Sequence, residues 1–265
     1  MLDWLRRHTR KLPPFARLLA ERDRLRGELA SYKTRFAPGH FYSPIPSKEE
    51  VRASASAGAK ALPGEICGVD LNTERQLALV SEFRQFVAEL PFEAGPTTRT
   101  RYYYDNGYFS YIDAMTLYCM IRYVKPNKVI EIGSGYSSCV ILDTNEMFFD
   151  DSIECELIEP YPDRLRSLVR RGDLDRVTLH EMKLQDVDIG LFARLAANDI
   201  LFVDSSHVTK FNSDVNRIVF EILPRLDSGV IIHFHDVFFP FEYPREWLVA
   251  GLAWNEAYLL RAFLQ

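Results

Sequence analysis

Residues 128–138 read KVIEIGSGYSS. Val129, Ile130 and Ile132 are apolar and β-branched, the composition of a strand covered on both faces. Gly133 and Gly135 follow, with Ser134 between them. A residue without a Cβ lets the backbone turn sharply and come close to a ligand. The spacing predicts a helix over 137–145, whose first free N–H groups face whatever sits in the turn. Glu131 places an acid at the strand end, suited to a positive or hydroxyl-rich part of a ligand.

Outward from this stretch, strand and helix signals alternate. Strands are predicted near 128–132, 154–159, 176–180, 199–204 and 229–235, and helices near 137–145, 162–171, 189–195, 212–223 and 246–263. Units of this length imply an α/β fold, a Rossmann-like doubly wound parallel sheet with helices on both faces. Right-handed crossovers then bring the strand C-terminal ends to one edge, where ligands bind at the switch point. Before the first strand, an apolar helix over 111–124 is closed by Lys125, Pro126 and Asn127.

The N-terminal part reads differently. Trp4, Leu5, Phe15, Leu18, Leu19, Leu25 and Leu29 have helical spacing, interrupted by Pro13 and Pro14, and 15–32 reads as one amphipathic helix. It suits docking on the domain or on a second subunit, in a homo-oligomer. A basic amphipathic helix also suits peripheral contact with an anionic membrane surface. Residues 36–66 are rich in proline and glycine, with a short helix over 47–57 opened by a Ser47/Glu50 capping box. A helix over 72–90 carries Leu77, Val80, Phe83, Phe86, Val87 and Leu90 on one face. The division expected is an N-terminal helical extension and linker over 1–66, then a Rossmann-like domain with its leading helix over 67–265.

Composition narrows the function classes. The chain has 265 residues and a net charge of −5, which gives no global electrostatic reason to bind nucleic acid. Cys67, Cys119, Cys139 and Cys155 are scattered without metal-ligand spacing and read as free thiols of a reducing cytoplasm. No stretch is long and apolar enough to span a bilayer, and the N-terminus lacks the apolar core of a secretory signal.

The polar residues at the strand ends carry the chemistry. Glu159 ends the second strand 24 residues after Gly135, where an acid can accept from both ribose hydroxyls. Asp186, in LQD after the third strand, suits an adenine amino group or a helix N-cap. EIGSGYSS, Glu159, LQD and ILFVDSSH, in this order, resemble a class I S-adenosylmethionine-dependent methyltransferase over about residues 100–265. The resemblance implies the methionyl part of S-adenosylmethionine near Glu131, Gly133, Ser134 and Gly135, the ribose at Glu159 and the adenine near Asp186. A dinucleotide dehydrogenase would carry a third glycine where this chain has Ser138.

Asp204 ends the fourth strand with His207 three residues on, and the fifth ends in His233, His235 and Asp236. Alternation places His233 and His235 on one face and Asp236 on the other. Asp204, His235 and Asp236 form an O/N/O set for a divalent metal, with Asp204 also at the cofactor edge. Such a cation would lower the pKa of a substrate hydroxyl, and His207 would take its proton. In the metal-free alternative, His207 or His235 is the base and Asp204 and Asp236 orient it. This placement is similar to the catechol and macrolide-sugar O-methyltransferase branch, which has a carboxylate where this chain has His235. A histidine there favours manganese, iron or zinc over magnesium. The aromatic and proline-rich run 237–247 suits a wall or lid over the acceptor, and residues 254–258 suit packing. The resemblance also implies two further strands, which are absent before Gln265. The expected activity is methyl transfer to a hydroxyl of a small molecule or sugar. Another Rossmann-type enzyme, either a NAD-dependent oxidoreductase or a metal-dependent hydroxylase, and a non-enzymatic binding module stay open.

Overall fold

The structure is a computed structural model that describes residues 13–31, 35–56 and 62–265. In chain order the helices are α1 (Pro13–Ser31), α2 (Lys48–Ser56), α3 (Thr73–Val87), α4 (Tyr111–Val124), α5 (Tyr136–Phe148), α6 (Asp163–Leu168), α7 (Asp214–Arg217), α8 (Arg245–Ala250) and α9 (Glu256–Leu264). The strands are β1 (Lys128–Ile132), β2 (Glu154–Ile158), β3 (Thr178–His180), β4 (Ile200–Val203) and β5 (Ile231–Phe234). The chain divides into two compact units, residues 1–60 with 245–253, and residues 61–244 with 254–265.

The second unit holds the sheet, in the order β3-β2-β1-β4-β5 with every neighbouring pair parallel. The strand order reverses at β1, whose last residue Ile132 lies between Ile158 of β2 and Val203 of β4. This is the switch point at which an open α/β sheet leaves a crevice. All five residues of β1 are buried, as its composition requires. Alternate residues serve opposite cores: Val129 packs with Cys139, Ile141 and Phe202, while Ile130 and Ile132 pack with Leu201, Phe192 and Ile218. The sheet is therefore covered on both faces, the expected doubly wound architecture.

Several elements differ in detail from the sequence expectation. The leading helix α3 ends at Val87; Phe83, Phe86 and Leu90 pack on the core while Leu77 and Val80 are exposed. The 189–195 helix is realised as a 3-10 segment, Ile189–Arg194, capped by Asp188. The last predicted helix, 246–263, is two helices, because Gly251 takes a left-handed φ of +94° that ends α8.

A buried ion cluster fastens the segment before α4. Arg101 donates from Nη1 to Asp143 at 2.7 Å and to Glu146 at 2.6 Å, and from Nη2 to Asp173 at 2.6 Å. Asp143 also accepts from the backbone N–H groups of Arg101 and Tyr102. Tyr102 Oη donates to Phe109 O at 2.6 Å, so the turn 102–109 is held at both ends.

In the first unit, α2 begins with the expected capping box: Glu50 N donates to Ser47 Oγ at 3.1 Å and Ser47 N to Glu50 Oε2 at 2.7 Å. In α1, Leu18 and Leu25 are exposed and Arg24 pairs with Glu21 at 2.6 Å. Trp4, Leu5, Tyr32 and Ala57, part of the expected helices, lie outside the described residues. Among the described residues, no helix is long and apolar enough to cross a membrane.

Candidate active site

The glycine turn is built around its neighbours on the sheet edge. Gly133 has φ +86°, and a Cβ there would stand 1.8 Å from Asp204 O. The close approach that demands glycine at 133 is thus to the backbone after β4. At Gly135 a Cβ would meet only Arg164 Cδ, at 3.6 Å, so that position opens onto free space. Ser138, in the first turn of α5, accepts from Gly135 N at 3.0 Å and donates to Glu131 Oε2, tying the turn to the strand. Glu131 is fully buried, and burial pushes its carboxyl up to about 7 against the opposing hydrogen bond from Ser138.

Glu159 lies just beyond β2, as expected for a ribose ligand. It accepts from Ser134 N at 3.1 Å and from Tyr161 N at 2.8 Å, which fixes the carboxylate while leaving lone pairs on both oxygens. Asp186 is exposed on the 3-10 turn Leu184–Asp186 and does not line the adjacent cavity; Lys183, Leu184 and Gln185 do.

Two cavities meet along the edge. One, of about 450 Å³, is bordered by Glu159, Tyr161, Leu184 and Asn212; the other, of about 310 Å³, by Tyr108, Tyr136, Arg164 and Trp254. Gly133, Glu159 and residues 204–206 line both. Ser205 Oγ is buried and has no hydrogen-bond partner in the protein, a donor left for a ligand. An open cradle at Gly135, a fixed acid at Glu159 and this unmatched hydroxyl fit a nucleoside-bearing ligand with polar substituents.

The second cavity ends in the polar cluster. Asp204, His207 and Asp236 each offer a ligand atom, all within 4.8 Å of one another. His207 Nε2 is 3.3 Å from Asp204 Oδ1 and 3.8 Å from Asp236 Oδ2. Asp236 joins because its φ of +55° breaks the strand alternation that would have turned it away. The three side chains brought to one focus are Asp204, His207 and Asp236, whereas the sequence reading grouped Asp204 and Asp236 with His235. His235 lies beside it, Nε2 3.7 Å from Asp236 Oδ1 and ring centroid 5.0 Å from Phe109. His233 does share its face, with Nε2 3.4 Å from His235 Nδ1, but is stacked on Phe202 and held neutral by burial, its pKa lowered to about 4.

One residue in contact with the cluster was read from the sequence only as packing. Glu256, fully buried in the first turn of α9, places Oε2 2.8 Å from His207 Nδ1. Burial would lower the His207 pKa, but the hydrogen bonds with Asp204 and Glu256 override it and raise it to about 9. Carboxylates on both sides thus make this a place for a positive charge, whether an imidazolium or a metal. An O/N/O set of this kind fits a divalent cation, manganese, iron or zinc more readily than magnesium. The expected wall 237–247 contributes no lining residue to either cavity. Its Tyr243 instead packs on Trp254, ring centroids 6.2 Å apart.

A family described as a methyltransferase domain matches residues 130–237, a span from β1 to just past Asp236. An uncharacterised protein of Archaeoglobus fulgidus is 38% identical over 170 residues, covering 62% of this chain and 76% of that relative. The crystal structure of an S-adenosylhomocysteine-bound Podospora anserina methyltransferase is 19% identical, with a TM-score of 0.40 over 82% of this chain and 88% of that one. Residues 130–237 thus carry a methyltransferase domain, and the chain belongs to one family with the archaeal protein.

Proposed function

We propose that this protein is an S-adenosylmethionine-dependent methyltransferase that methylates a hydroxyl of a small molecule or sugar. The observation that carries the reading is the Asp204–His207–Asp236 cluster in the cavity that shares Gly133 and Glu159 with the neighbouring one. The donor would be held by Glu159 at its ribose and by the turn 133–135 at its methionyl end, with Glu131 supporting that turn from below. The adenine would lie by Leu184 and Gln185, with Asp186 at the rim. Asp204, His207 and Asp236 would orient the acceptor oxygen. A divalent cation, bound by these three with His235 beside them, would lower the hydroxyl pKa. Without one, His235 would receive the proton, or His207 once it is deprotonated above its raised pKa of about 9, while Asp204 and Asp236 hold the imidazole in place. The mildly acidic chain and a cavity of about 310 Å³ favour a small acceptor over nucleic acid.

The test begins with calorimetry against S-adenosylhomocysteine and NAD. Binding of the first and not the second is expected. A methyl-transfer screen over hydroxylated metabolites, run with manganese and with EDTA, then identifies the acceptor. Asp204→Ala and His207→Ala should each lower turnover at least about 100-fold, the scale of lost acid–base catalysis. Unchanged turnover in both would overturn the assignment.

A further inference from the structure

His207 is held from behind by an unusual number of bonds, and all come from residues 254–256 and the start of α9. Its backbone carbonyl accepts from Asn255 N at 3.0 Å and from Glu256 N at 3.2 Å. Two residues further on, Thr209 N donates to Asn255 Oδ1 at 2.5 Å, and Asn255 Nδ2 donates back to Thr209 O at 3.2 Å. The Trp254 ring lies against the imidazole, centroids 4.3 Å apart. Glu256 Oε2 takes Nδ1 at 2.8 Å, and Glu256 Oε1 is buried with no partner. The support is itself anchored, since Ala257 N donates to Tyr243 Oη at 3.0 Å.

These bonds have a cost that a packing role would not require. His207 has φ +57°, a region that residues with a Cβ rarely occupy. A carboxylate with no exposed surface, one oxygen unmatched, is expensive to bury unless its other oxygen has a specific task. The task is visible in the ring: with Nδ1 engaged by Glu256, the nitrogen left facing Asp204 and Asp236 is Nε2. A second group on one imidazole nitrogen sets which nitrogen is free to act.

We propose that residues 254–256 form the support of the active-site histidine, with Glu256 as the positioning residue that fixes the His207 ring and presents Nε2 to the acceptor. The proposal rests on the reading of His207 as an active-site group. Its first test does not depend on turnover, so the two can fail separately.

The test is nitrogen NMR of metal-free protein labelled at histidine, comparing wild type with Glu256→Leu and Glu256→Gln. Wild type should show a His207 Nδ1–H proton shifted downfield and protected from exchange. Glu256→Leu, which removes the acceptor, should lose it. Glu256→Gln, which keeps a neutral acceptor oxygen, should keep a weaker, faster-exchanging signal. Should the leucine variant fail to fold, the glutamine variant alone decides: a signal identical to wild type overturns the proposal. So does an unchanged signal in Glu256→Leu, which would leave Glu256 a packing residue. S-adenosylhomocysteine affinity should stay within about twofold in both variants. With an acceptor in hand, kcat should fall about 10- to 100-fold in Glu256→Gln with KM for S-adenosylmethionine unchanged. A loss confined to KM would also count against it.

Discussion

Glu131 is a fully buried acid in the middle strand of the sheet, and its pKa of about 7 makes its charge a stability variable. The folded value lies above the ordinary carboxyl value of 4.5, so the folded chain holds the proton more tightly than the unfolded one. Its stabilising share is complete at acid pH and is lost as pH rises from the unfolded value through the folded one, by about 3 kcal/mol at most. Glu131→Gln removes this titration. Urea unfolding between pH 5 and 8 should show the variant gaining on wild type as pH rises; a difference independent of pH would refute the assignment. At this scale the sequence was informative where position along a strand decides. For that reason Glu131 sits near the end of β1, buried beneath the glycine turn, and Glu159, Asp204 and Asp236 lie just past the C-terminal ends of their strands. It was uninformative where local backbone leaves the standard regions. The positive φ at His207 and at Asp236 turns both side chains to one focus, and alternation cannot foresee either. Glu256 was illegible for another reason: it meets His207 across 49 positions of sequence, and nothing local marks a buried glutamate at the start of a helix as a histidine's partner.

Between Pro91 and α4, the segment 99–109 has little regular structure, yet it supplies Tyr108 and Phe109 to the smaller cavity, the one proposed for the acceptor. Arg101 holds it, as the cation shared by Asp143 and Asp173 in the interior. Removing one partner of a buried ion cluster leaves uncompensated charge, so Arg101→Met should cost about 3–5 kcal/mol in urea unfolding. A cost below about 1 kcal/mol would show that the cluster is not what fastens the segment. Element positions were largely legible, since β1 to β5 alternate with helices at the expected places and the apolar runs are clear. The elements that differ were decided by single residues or by packing. Gly251 splits the last helix, and α3 buries only the half of its stripe that faces α4. Arg101 itself reads as one more surface arginine until folding brings Asp173 to it.

Across the whole sheet edge, residues 204–206 form a wall common to both cavities. Occupancy of one should therefore change affinity in the other. Calorimetry with S-adenosylhomocysteine, with and without saturating manganese, should show dissociation constants differing by at least about fivefold, the lower end of ordinary coupling between sites. Superimposable isotherms, with manganese binding shown separately, would mean that the wall does not transmit. The shared wall also constrains how such an enzyme can diversify. A substitution at 204–206 that suits a new acceptor disturbs the donor at the same stroke, whereas Tyr108 and Arg164 border the smaller cavity alone and lie outside the support of His207. Descendants with new substrates are then expected to differ at those two positions, while the stretch that both ligands touch stays as it is.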